Sequence, residues 1–232
     1  PISEIIRAPR LSSPRGVGLA DVVTRAGHAS SFVSMTVTHS TSSSLGFGLV
    51  GLGMVADFHA QALAHVSGGR LVGVATRDAA KGRAFAEKHG VAFAGTSIDE
   101  LVARPDIDAV CITTSSGVHL EPALVAIRAG KHVIIEKPLD ITTERADEIL
   151  RAAEAKGVRV ASIFQGRFGE GARTVKAAVA AGRLGRMVLA SAYVKWHRTA
   201  QYYTGTRGSL AADGGGVLMA QGIHAIDLLQ WF

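Results

Sequence analysis

The chain has 232 residues, of which 47% are hydrophobic and 19% charged, and its formal net charge at pH 7 is +6. This composition allows a sizeable buried core and excludes a disordered or fibrous chain. The Lys and Arg residues are scattered, without a basic run or interleaved aromatic residues, so the positive charge does not predict nucleic-acid binding.

Residues 1–44 differ from the rest of the chain. Ser and Thr cluster at 40–44, Arg outnumbers the acidic residues, and neither a helical nor a strand period is present. Two interpretations stay open: a transit-like leader, or a disordered linker or spurious translation ahead of a true start at Met35. We favour the second.

From Leu45 onward, short β-branched runs alternate with longer helical periods, which is typical of parallel βαβ units. The predicted strands are 47–50, 70–75, 91–93, 109–113, 133–135 and 159–164. The predicted helices between them are 55–66, 79–89, 98–103, 120–129 and 143–156. This pattern predicts an α/β fold, a Rossmann doubly wound parallel sheet that binds a dinucleotide, over residues 45–164.

Residues 165–232 change in character. A helix is predicted at 172–181, and a long alternating strand at 187–196 is of the kind that opens a mixed or antiparallel sheet. The chain stops at Phe232 inside an amphipathic helical pattern without a stop signal. We therefore expect the beginning of a second α+β domain, in a fragment or a truncated product.

The only cysteine, Cys111, lies in an apolar run that resembles a strand. A single cysteine allows no intramolecular disulfide, which favours a reducing, cytoplasmic location. We interpret Cys111 as a buried structural thiol. No apolar run approaches the roughly 20 residues that span a bilayer, so we expect a soluble protein.

A glycine-rich loop, Gly51-Leu52-Gly53-Met54-Val55-Ala56, follows the first predicted strand and opens the first predicted helix. In that context Gly51 permits a tight turn, Gly53 lets the backbone approach a pyrophosphate, and Ala56 lets the helix pack closely on the strand. The start of the helix, with Met54 and Val55, offers unpaired N–H groups to the phosphates. The alternative is a glycine-rich turn without a ligand.

The end of the second strand indicates which cofactor is used. No acidic side chain stands at its tip to bind the adenosine ribose of NAD. Thr76 can hydrogen-bond a 2′-phosphate, Arg77 can neutralise it, and Lys81 follows one turn later. We interpret Asp78 as the cap of the next helix. The sequence predicts NADP(H), with NAD(H) as the alternative.

Glu136-Lys137-Pro138 follows the apolar strand 133–135, at the carboxyl edge of the sheet where ligands of open α/β folds bind. Lys137, with the chain redirected by Pro138, is placed to donate a hydrogen bond to a substrate oxygen beside a nicotinamide. The alternative is a solvated surface lysine.

His224 stands on an otherwise apolar helical segment, with Ala220 and Asp227 one turn before and after it. An imidazole titrates near neutral pH and can take the hydroxyl proton when a secondary alcohol is oxidised, and Asp227 is placed to orient or polarise it. The alternative is a structural histidine. Weaker candidates, which we interpret as surface or packing residues, are His59, His65, His119 and His197.

On these motifs, residues 45–232 resemble the glucose-fructose oxidoreductase / inositol dehydrogenase / MocA family of nicotinamide-dependent sugar oxidoreductases. Its motifs appear in family order as Gly51 to Ala56, Thr114-Ser115-Ser116-Gly117-Val118-His119, Glu136-Lys137-Pro138, Arg167-Phe168 and Gly214 to Asp227. The resemblance implies that Lys137 and His224 sit at the substrate. It also implies a cofactor site that includes Thr114, Ser115, His119, Glu136 and Lys137.

The resemblance further implies a second domain with substrate contacts and, in the full-length protein, homo-oligomer contacts. Three departures stand out: Ala220 replaces the Asp or Asn usual before the histidine, Thr114-Ser115 lacks a common proline, and the rest of the expected mixed sheet is absent after Phe232. We expect a metal-independent NAD(P)-dependent dehydrogenase or reductase that acts on a secondary alcohol or ketone of a sugar, cyclitol or related polyol. The alternatives are a non-catalytic regulator that binds a dinucleotide and a sugar, or an inactive homologue.

Overall fold

A computed structural model describes residues 44–204, 207 and 209–232. The interpretations of residues 1–43, including the start at Met35, lie outside the described residues. The strands are β1 (Leu45–Val50), β2 (Gly69–Ala75), β3 (Phe93–Gly95), β4 (Ala109–Ile112), β5 (His132–Ile135) and β6 (Val160–Ser162). The helices between them are α1 (Met54–Ala64), α2 (Ala79–His89), α3 (Ile98–Val102), α4 (Leu120–Arg128) and α5 (Thr143–Lys156).

In the described part of the chain, these strands form one parallel sheet in the order β3-β2-β1-β4-β5-β6. This is the doubly wound order of a Rossmann domain, so the predicted fold class is confirmed. The order reverses between β1 and β4, and the crevice for a ligand opens at their carboxyl ends.

The core forms where central strands are covered on both faces. Every residue of β4 is buried, which explains its continuous apolar run. Ala56 and Ala60 of α1 pack with Leu49 of β1 in one buried cluster. Ala56 is fully buried, so its small side chain lets α1 lie close to the sheet, as predicted.

Local signals set the ends of the elements. The Asp78 carboxylate accepts a 3.0 Å hydrogen bond from the Lys81 backbone N–H, which confirms Asp78 as the cap of α2. Strand β3 begins two residues later than predicted. The reason is that the Val91 N–H donates to the Ala86 carbonyl and so belongs to the end of α2.

After β6 the chain leaves the sheet and continues through short helical segments. These are a 3₁₀ turn (Gln165–Phe168), α6 (Glu170–Ala180), a second 3₁₀ turn (Ala200–Tyr203), α7 (Leu210–Asp213), a π-helix (Leu218–Gly222) and α8 (Ile223–Trp231). A Cβ placed on Gly117 would lie 2.2 Å from the Ala211 carbonyl oxygen, so only glycine allows α7 to lie this close to the segment after β4.

The strand predicted at 187–196 is wrong. These residues are described but form no strand, and Val188, Leu189 and Tyr193 are about 80% exposed. Alternating side chains favour a strand only where a neighbouring backbone supplies hydrogen bonds, and every strand among the described residues belongs to the parallel sheet. Across the same described ranges, no helix has both the length and the apolar character needed to cross a bilayer.

Candidate active site and cofactor cleft

A cleft of about 750 Å³ opens at the carboxyl edge of β1, β2 and β4. Seven of the residues predicted to bind the cofactor line it. From the glycine-rich loop and the loop after β4 these are Gly51, Gly53, Thr114 and Ser115, and from the end of β2 and the start of α2 they are Thr76, Arg77 and Lys81. The cleft therefore joins the predicted phosphate loop to the predicted adenosine end.

The two loop glycines, Gly51 and Gly53, are required for different reasons. Gly51 has φ +84°, and a Cβ there would lie within 2.9 Å of the Thr114 backbone, so only glycine fits between β1 and β4. A Cβ on Gly53 would meet nothing within 4 Å. The space in front of Gly53 and the N-terminus of α1 is thus open to a ligand, as a bound pyrophosphate requires.

The other predicted loop residues face elsewhere. Met54 is 65% exposed, Ala56 is buried in the core, and neither these two side chains nor that of Val55 lines the cleft. The first turn of α1 therefore offers a phosphate its backbone N–H groups.

His119 supports the cleft from behind. It is 1% exposed, its Nδ1 lies 3.0 Å from the Pro138 carbonyl oxygen, and its Nε2 lies 3.2 Å from that of Thr114. Because both ring nitrogens face backbone carbonyls, the side chain joins the loops after β4 and β5 and is not brought into the cleft. The resemblance implied a cofactor contact, but the geometry gives this side chain a positioning role.

Glu136 forms a side-chain hydrogen bond with His59 that sequence reasoning missed. Its Oε1 lies 2.9 Å from Nε2 of His59, and its Oε2 accepts a 3.3 Å hydrogen bond from the Lys137 backbone N–H. The His59 side chain is only 14% exposed. The position of His59 on α1 could have indicated this contact, because the N-terminus of α1 and the end of β5 lie at the same edge of the sheet.

Lys137 reaches across to the C-terminal segment. Its Nζ donates a 2.6 Å hydrogen bond to the carbonyl oxygen of Ala220, in the π-helix just before His224. The Lys137–Pro138 peptide bond is cis. Burial lowers the pKa of Lys137, and electrostatic interactions with Glu136, Tyr202 and Asp213 oppose that shift.

His224 lies within the electrostatic reach of Lys137. Burial lowers its pKa, the positive charge of Lys137 lowers it further, and Glu136 and Asp227 oppose both effects. The ring meets that of Phe164 edge to face, with centroids 6.5 Å apart. A neutral imidazole and an ammonium group thus occupy one region, at the edge of the sheet where β5 ends.

Asp227 has a different partner from the expected one. It is 2% exposed, and both of its oxygens accept hydrogen bonds from Arg167, one from Nε at 2.8 Å. Asp227 was expected to orient His224, but the fork of the guanidinium group matches a carboxylate better than an imidazole does. Its charge still acts on the pKa of His224. The sequence did hold a signal for this pair: Asp227 is an acid on an apolar helix, and a buried acid needs a cationic partner.

Tyr202 also went unnoticed in the sequence. Its hydroxyl oxygen accepts a 3.1 Å hydrogen bond from Nε2 of Gln221, which lowers the pKa of the phenol. Gln221 directly follows Ala220, so Tyr202 and Lys137 contact consecutive residues of the π-helix.

Cys111 is buried in β4. Burial, together with the charge of Glu136, raises the pKa of its thiol to about 12. The thiol is therefore protonated and structural, as predicted. Within the described ranges, no group of three or more His, Cys, Asp or Glu is arranged to hold a metal ion.

Comparison with known proteins identifies two matching regions. Residues 45–164 match an oxidoreductase family with an NAD-binding Rossmann fold, and residues 172–232 match the GFO/IDH/MocA C-terminal domain. The chain is 35% identical over 185 residues to 1,5-anhydro-D-fructose reductase of Ensifer adhaerens, covering 80% of this chain and 55% of that protein. It is 32% identical over 186 residues to inositol 2-dehydrogenase 3 of Saccharopolyspora erythraea, covering 79% and 52%.

Among solved structures, the WlbA dehydrogenase from Bordetella pertussis, in complex with NADH and UDP-GlcNAcA, is similar with a TM-score of 0.75 and 32% identity. The match covers 83% of this chain and 56% of that one. The chain thus spans about half the length of the curated relatives it matches. With its Rossmann sheet, its glycine-rich cleft and both family regions in order, the chain belongs to the GFO/IDH/MocA oxidoreductase family.

Proposed function

We propose that this protein is an NAD(P)-dependent oxidoreductase that transfers hydride between the nicotinamide and a secondary alcohol or ketone of a sugar, cyclitol or related polyol. The observation that carries the proposal is the bond from Lys137 Nζ to the Ala220 carbonyl, because it sets an ammonium group beside the segment that bears His224. The named relatives, a sugar reductase and a cyclitol dehydrogenase, support the substrate class.

The chain's own residues suit this chemistry. The glycine-rich loop and the start of α1 hold the pyrophosphate, and Thr114 and Ser115 also line the cleft. Once bound, the nicotinamide accepts or supplies the hydride. Glu136, paired with His59, fixes the backbone that carries Lys137.

Lys137 and His224 have different roles at the substrate oxygen: Lys137 donates a hydrogen bond, and His224 transfers the proton. An ammonium group has three donors, so the bond to Ala220 leaves Lys137 able to donate to that oxygen and to stabilise negative charge on it. His224, whose pKa is lowered, is neutral at pH 7 and takes the hydroxyl proton during oxidation. In the reverse direction, the protonated imidazole returns it.

The proposal includes a preference for NADP(H). Thr76, Arg77 and Lys81 all line the cleft, so a hydroxyl and two cations are available to a 2′-phosphate. The NADH in the similar WlbA complex makes NAD(H) the competing choice. Titration of the protein with each cofactor measures the two affinities, and equal or tighter binding of NAD would refute the preference for NADP.

A cytoplasmic location and homo-oligomerisation belong to the same proposal. The first suits the free thiol of Cys111, and the second follows from the family resemblance. Light scattering on the full-length protein measures the oligomeric state, and a monomer would contradict the second.

The direct test incubates the protein with NADP⁺ or NAD⁺ and a panel of sugars and cyclitols and follows nicotinamide reduction by absorbance. We expect turnover with at least one of them. A non-catalytic regulator is the second candidate, favoured by Ala220, whose methyl group offers no hydrogen bond to a substrate. Binding of cofactor and polyol by calorimetry without any turnover would establish the regulator instead.

A further inference from the structure

The segment that runs from α6 into α7 has an unusual charge balance. Residues 171–212 contain seven Lys and Arg and no Asp or Glu. The seven are Arg173, Lys176, Arg183, Arg186, Lys195, Arg198 and Arg207. Such a segment repels cations, so wherever it meets the active site it favours a negatively charged ligand.

Two of these cations converge on Tyr202. The guanidinium carbon of Arg198 lies 5.2 Å from the centre of the Tyr202 ring, and that of Arg207 lies 4.6 Å from it. Arg198 also lies 5.4 Å from the ring of Trp196, and one of its N–H groups donates to the His197 carbonyl. Aromatic contacts hold the guanidinium groups in place and leave N–H donors of both for a ligand.

Tyr202 connects these cations to the proposed catalytic lysine. Gln221 bonds the Tyr202 hydroxyl at 3.1 Å, and the residue before it, Ala220, accepts the bond from Lys137. The negative charges of Glu136 and Asp213 both act on Lys137. Among these described residues, two acids therefore stand against three cations, Lys137, Arg198 and Arg207.

We infer that the substrate carries an anionic group, a carboxylate or a phosphate, which Arg198 and Arg207 bind while its reacting carbon lies at Lys137. This inference rests on the proposed function, because it takes Lys137 to face the substrate. A guanidinium group forms paired, charge-assisted hydrogen bonds with either anion. An anion bound there also anchors the sugar at a second point, which orients the carbon that reacts.

Calorimetry tests the inference on protein saturated with whichever of NADP⁺ and NAD⁺ binds, so that the cofactor's own phosphate sites are filled. The ligands are glucuronate, glucose 6-phosphate and glucose. We expect at least one of the two anionic sugars to bind roughly tenfold or more tightly than glucose. Competition by inorganic phosphate identifies a phosphate site, and competition by acetate identifies a carboxylate site.

Variants locate the site. Arg198→Gln and Arg207→Gln should each abolish most of the preference for the anionic sugar. Lys195→Gln is the matched control, since it removes the same charge from a side chain that lies over the Tyr193 ring at 5.3 Å, and it should keep the full preference. Arg207 is exposed, so its variant tests the inference even if Arg198→Gln fails to fold.

Equal binding of glucose and both anionic sugars, or a loss of preference in Lys195→Gln as large as in Arg207→Gln, would overturn the inference. The two proposals fail separately. Turnover of neutral polyols without an anion preference keeps the proposed function and refutes the anion site. An anion preference that needs Arg207, in a protein without turnover, keeps the anion site and refutes the proposed function.

Discussion

The Nζ atom of Lys137 donates a 2.6 Å hydrogen bond to the carbonyl oxygen of Ala220, a residue 83 positions later in the chain and four before His224. Ala220 was noted in the sequence as a loss, because its side chain cannot bond a substrate. The structure shows that it contributes its backbone instead. The link between the sheet edge and the histidine segment therefore does not depend on which side chain occupies position 220.

Replacing Lys137 with Ala should lower turnover at least roughly a hundredfold, because the substrate oxygen loses its charged donor. Cofactor affinity should change little, since the Lys137 side chain does not line the cleft. Steady-state kinetics and cofactor titration measure the two effects. The matched control is Lys131→Ala, which removes a lysine bond to the Arg104 carbonyl elsewhere in the fold and should leave turnover nearly unchanged.

The pH dependence should report the lowered pKa of His224. In the oxidative direction the imidazole must be neutral, so kcat/KM should rise with pH, with its midpoint below the ordinary histidine value of 6.5, and then level off. NMR titration of the ring should show the same midpoint. Removing the positive charge in Lys137→Ala should move it to higher pH, and removing the negative charge in Asp227→Asn to lower pH. A midpoint above 6.5 in the unmodified protein would contradict the account.

Replacing Arg167 with Ala should destabilise the fold by about 3–5 kcal/mol, because it leaves the buried Asp227 carboxylate without its partner. Urea unfolding measures the free energy. The double variant Arg167→Met with Asp227→Leu should cost less than the single one, since no buried charge remains. The more exposed pair Arg104 and Asp106, whose side chains are 32% and 34% exposed, supplies the control, and Arg104→Ala there should cost much less. Equal costs at the two sites would show that the Arg167 pair is not buried in solution.

The two glycines of the loop should respond differently to Ala. Gly53→Ala should leave unfolding almost unchanged, because its Cβ meets no protein atom, but should weaken cofactor binding by filling the space for the pyrophosphate. Gly51→Ala should destabilise the protein itself, through the contact with Thr114 and the positive φ. Gly68, also at positive φ but in open space, is the control, and Gly68→Ala should cost only about 1–2 kcal/mol. Unaltered cofactor affinity in Gly53→Ala would refute the phosphate site.

Cofactor choice should depend on Arg77. Arg77→Ser removes a cation from the cleft and should weaken NADP binding roughly tenfold while NAD binding stays nearly constant. Arg83→Ser, at an exposed position on the helix α2 that follows Arg77 and outside the cleft lining, should change neither affinity. A parallel fall for both cofactors would place Arg77 outside the 2′-phosphate site.

Much of the fold could be predicted from local patterns. The parallel sheet follows from apolar runs such as 109–112. The cap at Asp78 follows from a carboxylate placed three residues before the N–H group of Lys81 that it binds. The strand at 187–196 could not be judged in this way. Its alternation describes side chains, whereas a strand requires a partner backbone, and no local pattern reports one.

The sequence by itself determined the strands and helices of the parallel sheet and the glycine-rich loop at Gly51, and it singled out Lys137 and His224 as the groups that we propose to act on the alcohol. Tertiary structure decided their partners: Arg167 for Asp227, His59 for Glu136 and the Ala220 carbonyl for Lys137. The physical reason is range. Backbone conformation and apolar periodicity act over a few residues, whereas a buried charge takes whatever complementary group the folded chain brings within hydrogen-bond distance.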